Sequence, residues 1–220
     1  MFGLPTSLEV DKEITRRFLA DEKKIPPKFR DAFLTEIEAI RWTHNIGANR
    51  YAQFDDRVER EIQIFQIDLR VAKPNEKFLE LVDAATPYDL LLVLAHGEYL
   101  QPWLGVKELA KTYEEPSRVL RYFHQGFWTP KEEFRIPLEG RKVDEIVRGF
   151  FRFVAPEVRL PEGQTLLETV ARLNEIDAIR RQLKRLENQK NRERQFNRQC
   201  ALRAELETLR RKLDALENDR

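Results

Sequence analysis

The sequence predicts an α+β domain, a mixed sheet with flanking helices, followed by a long C-terminal helical hairpin or coiled coil. Over residues 1–160, short apolar runs rich in β-branched and aromatic residues alternate with helical repeats. Pro156, Pro161 and Gly163 then interrupt the pattern. No proline or glycine occurs beyond Gly163, and leucines and isoleucines recur there in steps of three and four. We therefore divide the chain into residues 1–160, a globular domain, and residues 161–220, a helical segment.

The composition allows one globular domain of moderate size with an additional segment. It excludes nucleic-acid binding that is driven by the net charge of the whole molecule. The chain has 220 residues, of which 41% are hydrophobic. Its 39 lysines and arginines nearly balance its 38 aspartates and glutamates. The net charge therefore does not draw the whole molecule to nucleic acid, and any electrostatic partner must be recognised by a local patch.

Cysteine, histidine and hydropathy patterns give no sign of a metal centre or a membrane. Cys200 is the single cysteine, and His44, His96 and His124 have no ligand spacing. We therefore expect no metal site and no cofactor. The amino terminus lacks the pattern of a targeting peptide, and the longest aliphatic run, Leu90–Ala95, is too short to cross a bilayer. These features predict a cytoplasmic protein without a membrane partner.

The first third of the chain predicts a helix followed by two strands. Phe29, Phe33 and Ile37 recur at helical spacing after two prolines, which predicts a helix over 28–40. Near-alternation of apolar and polar residues over 41–46 and 61–71 then predicts strands.

The middle third predicts one buried strand among helices and loops. Asn75 starts a predicted helix, and the aliphatic run from Asp89 to Leu94 predicts the central strand of the sheet. Prolines and glycines interrupt residues 99–128, so we expect shorter strands and loops there. Asp144 is the predicted cap of a helix over 145–154.

The C-terminal segment contains two apolar stripes separated by a polar break. Thr165 and Glu168 form a capping-box pattern that predicts a helix start. The break covers 188–199, and the second stripe is out of register with the first. An antiparallel hairpin is therefore preferred, and a dimer of continuous helices stays open. The predicted helix-pairing residues are Leu173, Ile176, Ile179, Leu183, Leu186, Leu202, Leu206, Leu209, Leu213 and Leu216.

Positive charge is concentrated around the polar break, where only Glu187 and Glu193 oppose it. Such a patch is able to contact nucleic-acid phosphates, and a solvated helix face or a site for an acidic protein would have the same composition. The candidate nucleic-acid-binding residues are Arg180, Arg181, Lys184, Arg185, Lys190, Arg192, Arg194 and Arg198.

Two groups of polar residues are candidates for catalysis. Glu59, Glu61 and Asp68 lie on or beside a predicted strand, as the acids of a metal-dependent nuclease would, but this stretch lacks a Glu-x-Lys triplet. Charge that protects a sheet edge explains them more simply. His96 and Glu98 follow the aliphatic strand without a nucleophile motif. No residue is assigned a catalytic role.

Aromatic residues are dense between positions 99 and 128. They are predicted to build the core, with Trp103 beside a proline as the exposed member able to stack on a base. The residues concerned are Tyr99, Trp103, Tyr122, Phe123, Phe127 and Trp128.

Three stretches carry a resemblance to a known family. Residues 1–5 (MFGLP), 61–65 (EIQIF) and 194–213, which begin RQFNRQ, are similar to an uncharacterised bacterial family, domain of unknown function 4391. The resemblance implies an α/β front half, a C-terminal helical segment and operons with helicases and DNA methyltransferases in defence against phage and other foreign DNA. It implies no catalytic residues. The aromatic stretch 99–128 departs from the family pattern.

These observations lead to a functional hypothesis. We expect a non-enzymatic adaptor of a bacterial DNA-processing or phage-defence complex, whose hairpin binds a helicase or methyltransferase and whose basic tip contacts DNA backbone. A metal-dependent nuclease and a homodimerising structural protein are the alternatives.

Overall fold

The computed structural model describes residues 2–15, 25–47, 50–51, 61–109, 115, 117–124 and 128–218. The chain forms two compact units, Met1–Arg159 and Leu160–Arg220. Within the described residues the first unit contains a seven-stranded sheet and three α-helices, and the second contains two long helices. The predicted fold class, a mixed sheet with helices followed by a helical hairpin, is confirmed.

The sheet is mixed because one central pair of strands is parallel. Its order is β1-β2-β3-β4-β5-β6, with β7 paired to β5. β3 and β4 run parallel, and the other neighbours are antiparallel. The strands are β1 (Glu9–Ile14), β2 (Ile37–Ile46), β3 (Ile62–Leu69), β4 (Asp89–His96), β5 (Tyr99–Glu108), β6 (Arg118–His124) and β7 (Thr129–Pro130).

Helices cover both faces of this sheet. They are α1 (Pro27–Glu36), α2 (Glu76–Ala84) and α3 (Val143–Val154), and a short 3-10 turn precedes β1. Helix α2 is the crossover between the parallel strands, as parallel pairing requires. Residues 90–95 of β4 are all buried, so the prediction of a central strand is confirmed.

Neighbouring residues of β6 point to opposite faces of the sheet and mark its two cores. Tyr122 donates a hydrogen bond to the carbonyl oxygen of Leu79 in α2. The next ring along the strand, Phe123, packs edge-on against Phe151 of α3 at 4.4 Å between ring centroids. The core under α1 and α2 also holds buried Phe33.

The predicted helix over 28–40 is too long, because α1 ends at Glu36 and β2 begins at the next residue. A register shift between Ile37 and Ala39 bends the start of β2. Ile37 and Ile40 are consequently both buried although they are three residues apart. This bulge produces the spacing of a helix within a strand.

The expectation of short strands over 99–128 is wrong for β5, which has ten residues and contains Pro102 and Gly105. On the side of β5 away from β4, strand β7 pairs with Tyr99 and Leu100, whereas the β6 register begins at Trp103. Pro102, which is paired with Val93 of β4, therefore lies between the two pairings on this side of the strand.

Trp103 is buried, so the prediction that it is an exposed contact is wrong. Only 5% of its surface is accessible, and its ring stacks on His124 with 4.2 Å between centroids. The alternation of β5 directs it inward. Tyr99 is instead the exposed aromatic of this strand, and Phe127 lies outside the described residues.

Glu145, and not Asp144, satisfies the start of α3. The helix begins at Val143, and the Glu145 carboxylate accepts hydrogen bonds from the backbone N–H groups of Arg141 (2.8 Å) and Lys142 (3.3 Å). These bonds lower the pKa of Glu145. Asp144 therefore falls inside the first turn of the helix.

The second unit is an antiparallel pair of helices, α4 (Leu166–Arg192) and α5 (Phe196–Asn218), joined by residues 193–195. At 1.5 Å per residue the two helices are about 40 and 35 Å long. Glu187 forms an ion pair with Arg210, and Arg180, farther from the turn, pairs with Glu217. The short connection folds α5 back along α4, and these ion pairs join the two helices side by side. The predicted hairpin is confirmed.

Candidate functional site

The hairpin encloses the apolar positions that the sequence places on its two stripes. Ile176, Ile179, Leu186 and Leu206 are buried. The other six predicted helix-pairing residues are half-buried, namely Leu173, Leu183, Leu202, Leu209, Leu213 and Leu216. Little of this apolar surface is open to a second protein.

Two large apolar side chains of this unit are nevertheless exposed among the described residues. Leu167, near the start of α4, is 49% exposed, and Phe196, the first residue of α5, is 72% exposed. Phe196 directly follows the turn, at the opposite end of the hairpin from Leu167. Sequence reasoning missed it because it belongs to neither stripe.

Glu193 shapes the turn, which has neither glycine nor proline. Its backbone is extended, with φ −73° and ψ 134°, and ends α4. Its carboxylate then accepts hydrogen bonds from the N–H groups of Arg194 (2.8 Å) and Gln195 (2.9 Å). These bonds, chiefly the one from Gln195, lower the pKa of Glu193. The Gln199 amide also donates to the Glu193 carbonyl oxygen, at 2.6 Å.

Replacing Glu193 with alanine is expected to loosen the turn, because two backbone N–H groups lose their acceptor. The amides of Arg194 and Gln195 should exchange hydrogen faster, after correction for intrinsic exchange rates. The pKa is lowered in the folded state, so this stabilisation is present above the ordinary value of 4.5. It is lost as pH falls through the lowered value.

Glu193→Gln is the matched control, since it keeps an acceptor oxygen and removes the charge. Its amide protection should lie between those of the wild type and Glu193→Ala and should not change with pH over the same range. Equal protection in all three proteins would show that the side chain does not hold the turn.

Five of the eight predicted basic residues lie near this turn, the other three lie farther back along α4, and the charge of the set is largely uncompensated. Lys190 is half-buried and the other seven are exposed. Arg180 pairs with Glu217 (2.8 Å), and Arg198 lies 3.9 Å from Glu193. No ion pair involves the other six within the described part of the chain: Arg181, Lys184, Arg185, Lys190, Arg192 and Arg194.

Part of this charge forms a continuous strip on α4. Arg181, Arg185 and Arg192 recur with Asn188 at steps of four, three and four residues, which places them on one helix face. A shallow groove of about 480 Å³ follows the end of this strip. Its lining residues are Arg185, Asn188, Gln189, Arg192 and Glu193. We call residues 185–199 the hairpin tip.

The globular unit contains a second charged feature, a buried ion pair between α2 and β5. The Lys107 ammonium donates to the Asp83 carboxylate (2.6 Å) and to the carbonyl oxygens of Asp83 (3.0 Å) and Thr86 (3.1 Å). Both charged side chains are completely buried. This pair is therefore built to join α2 to β5, and neither side chain is placed to contact a substrate.

Gly105 and Tyr122 border this pair. A Cβ atom on Gly105 would lie 1.9 Å from Asp83 Oδ2, so only glycine leaves room for the carboxylate. Burial raises the pKa of Asp83 to about 6, and the positive charge of Lys107 limits the rise. Burial, reinforced by Asp83, also raises the pKa of Tyr122 well above its ordinary value, so its hydroxyl stays protonated.

Sequence reasoning missed this pair, although β5 carries a signal for it. Trp103, Gly105 and Lys107 alternate, so all three point to the same side of the strand. A lysine in phase with a buried tryptophan requires a buried partner. The partner, Asp83, belongs to a helix that is distant in sequence, and only the fold brings the two together.

The acids considered for a nuclease have ordinary partners. Glu61 accepts a hydrogen bond from Asn45 (3.0 Å), and Asp68 accepts one from Gln66 (2.5 Å). Glu59 lies outside the described residues. Across the ranges that the structure describes, no three histidine, cysteine, aspartate or glutamate residues are grouped to hold a metal ion.

The His96 and Glu98 side chains also have separate partners. His96 Nδ1 lies 3.2 Å from the carbonyl oxygen of Leu69, whereas the Glu98 carboxylate lies 3.8 Å from the Lys131 ammonium. The structure therefore gives each side chain of the considered acid/base pair a different neighbour.

None of the described helices combines the length and apolar character needed to span a membrane. A family model, described as domain of unknown function (DUF4391), matches residues 2–213. No curated protein and no solved structure matches the chain. Because the family model covers nearly the whole sequence, including both the sheet and the hairpin, the chain belongs to the family DUF4391.

Proposed function

We propose that this protein is a non-enzymatic adaptor that binds a larger DNA-processing protein and contacts DNA phosphates through its hairpin tip. The uncompensated basic surface at the tip carries this proposal. Phosphate oxygens are the commonest partners of arginine and lysine in protein–DNA contacts, and such contacts do not depend on base sequence. The proposed role is therefore to hold a partner on DNA.

The two ends of the hairpin offer different surfaces, which suit DNA at the tip and a protein partner at the other end. At the tip, four basic side chains have no ion pair within the described residues, and Glu187 is already occupied by Arg210 at 2.7 Å. At the other end, Leu167 offers exposed apolar surface for a protein partner. Such surface contributes about 25 cal/mol per Å² when it is buried. The family resemblance suggests a helicase or a DNA methyltransferase as that partner, in defence against phage.

Replacing Arg192, Arg194 and Arg198 with alanine is expected to weaken duplex binding and to flatten its salt dependence. Each lost phosphate contact reduces the slope of log K against log salt by about 0.9, so three contacts would remove between 2 and 3. Fluorescence anisotropy with a labelled duplex across a salt series measures both quantities. Circular dichroism should show unchanged helix content, because all three side chains are exposed.

A matched control removes the same charge elsewhere on the hairpin, at Arg203, Arg211 and Lys212; the ion-pair partners of Arg211 and Lys212 lie outside the tip. Pairs such as Arg211 with Glu207 are exposed and contribute little to stability. The control protein should therefore keep the wild-type salt slope. An unchanged slope in the tip variant, or an equal loss in the control, would contradict the DNA contact.

The partner contact is tested by purifying the native protein together with any other protein that is bound to it. The same purification is then carried out with Leu167→Glu and with a chain that ends near Pro161. Both changes should lose the partner. Light scattering on the full-length protein separates this result from self-association, because a homodimer would double the mass without any other protein. Retention of the partner by both shortened and substituted chains would overturn this half of the proposal.

A further inference from the structure

Phe196 is the most exposed large apolar side chain in the described part of the chain, at 72%. It begins α5 directly after the turn, and no aromatic ring packs against it among the described residues. The ring is therefore open to a flat partner in solution.

The surroundings of Phe196 are polar and positive. Arg194 and Arg198 are exposed on either side of it in sequence, next to Gln195 and Asn197. Between residues 180 and 199 there are eight basic side chains and two acidic ones. Both acids are engaged, because Glu187 pairs with Arg210 and Glu193 accepts the amides of the turn.

We propose that Phe196 stacks on an unpaired base and that the hairpin tip consequently prefers single-stranded to duplex nucleic acid. This rests on the proposed function, since the arginines would hold the neighbouring phosphates. An aromatic ring beside a positively charged groove is the usual arrangement for sequence-independent single-strand binding, because every base has a stacking face. Duplex bases are already stacked on one another and expose only their edges.

A protein partner fits this surface less well. The centre of a protein interface is depleted of charged residues and surrounds its aromatic anchors with other packed side chains. The residues next to Phe196 in the chain are two arginines, a glutamine and an asparagine. A strand of phosphates and bases would neutralise the arginines and cover the ring at the same time.

The test compares binding of the full chain to a labelled oligothymidine of about 12 nucleotides and to a duplex of the same length. The wild type should bind the single strand more tightly. Phe196→Ala should weaken single-strand binding roughly tenfold, which corresponds to the loss of one stacked base, and should leave duplex binding nearly unchanged. Phe196→Trp should retain single-strand binding, whereas Phe196→Leu, which is apolar but not aromatic, should behave like alanine.

One further substitution serves as a control. Tyr99→Ala removes the exposed aromatic ring of the other unit, where 49% of the residue is accessible. This change should not alter single-strand affinity. A loss with Tyr99→Ala equal to the loss with Phe196→Ala would overturn the inference.

The outcomes separate this inference from the proposed function. If the wild type binds neither nucleic acid, the DNA contact itself fails. If it binds both and Phe196→Ala affects them equally or not at all, only the stacking role fails. If Phe196→Ala instead releases a co-purifying protein and leaves single-strand binding intact, the ring is a protein contact and the inference is overturned.

Cys200 allows the location of the bound strand to be tested without adding a new cysteine. It is the single cysteine of the chain, is exposed, and lies one helical turn beyond Phe196. An oligonucleotide with an activated disulfide should react faster with Cys200 when single-stranded than when duplex. Phe196→Ala should remove this difference. Equal rates for the two forms with the wild type would place the strand elsewhere.

Discussion

Replacing Lys107 with methionine is expected to lower the free energy of unfolding by about 3 to 5 kcal/mol at neutral pH, because the buried Asp83 carboxylate loses its counter-charge. Methionine keeps much of the length of the lysine side chain, so the loss reports chiefly on charge and hydrogen bonding. Denaturant unfolding of the two proteins measures it.

The same loss should depend on pH. The folded pKa of Asp83, about 6, lies above its ordinary value of 3.8, so folding takes up a proton between these values. The contribution of Asp83 to stability is therefore complete below the ordinary value and is lost as pH rises through the folded value. Without Lys107 the folded pKa rises further. The variant should consequently be closer to wild type at about pH 5 than at about pH 8.

Lys77→Met is the matched control for this prediction. Lys77 lies 2.6 Å from Glu80 on the surface of α2, and both side chains are at least one-third exposed. Solvent screens that pair, so its loss should cost less than about 1 kcal/mol. Similar losses for the two lysine variants would show that burial does not strengthen the pair with Asp83.

Replacing Gly105 with alanine is expected to destabilise the globular unit by about 1 to 3 kcal/mol or more. The added methyl group would lie 1.9 Å from Asp83 Oδ2 and 3.0 Å from a ring carbon of Tyr122, so the carboxylate must move away from Lys107. The added methyl group and the Lys107 ammonium both contact the Asp83 carboxylate. The destabilisation caused by Gly105→Ala and that caused by removing the ion pair should therefore not add. In an Asp83→Ala background, Gly105→Ala should cost much less.

Replacing Gly149 with alanine is expected to have the opposite effect and to stabilise the same unit. Gly149 lies inside α3, and the nearest atom to an added methyl group would be the Glu139 carbonyl oxygen at 3.9 Å. Alanine favours helix over glycine by about 0.5 to 1 kcal/mol, so this variant should be more stable than wild type. A Gly105→Ala protein as stable as Gly149→Ala would contradict the close approach of Asp83.

The sequence predicted those parts of the fold that depend on local repeats. The aliphatic run of β4 and the two broken stripes of α4 and α5 were informative because burial imposes a periodicity on each element. Prediction failed where two periodicities look alike, as at Ile37 and Ile40, where a strand bulge reproduces helical spacing. It also failed at Trp103, where an adjacent proline suggested a loop but lies between two strand pairings.

For the candidate sites too, the sequence revealed local patterns but not contacts between residues that are distant in the chain. The basic strip was visible in the sequence because Arg185 and Arg192 belong to one continuous helix, whose spacing fixes their common face. The pair of Asp83 and Lys107 joins residues 24 positions apart in the chain, and no local pattern connects them. The role of Glu193 was missed because a side chain there replaces the glycine or proline usually expected at a turn.

The hairpin also has a consequence for folding kinetics. Within α4 and α5 the backbone hydrogen bonds join residues four apart, whereas β3 and β4 pair residues that are far apart in the chain, such as Ile62 with Asp89. Local contacts form faster than distant ones, so the second unit should reach its folded form before the sheet does.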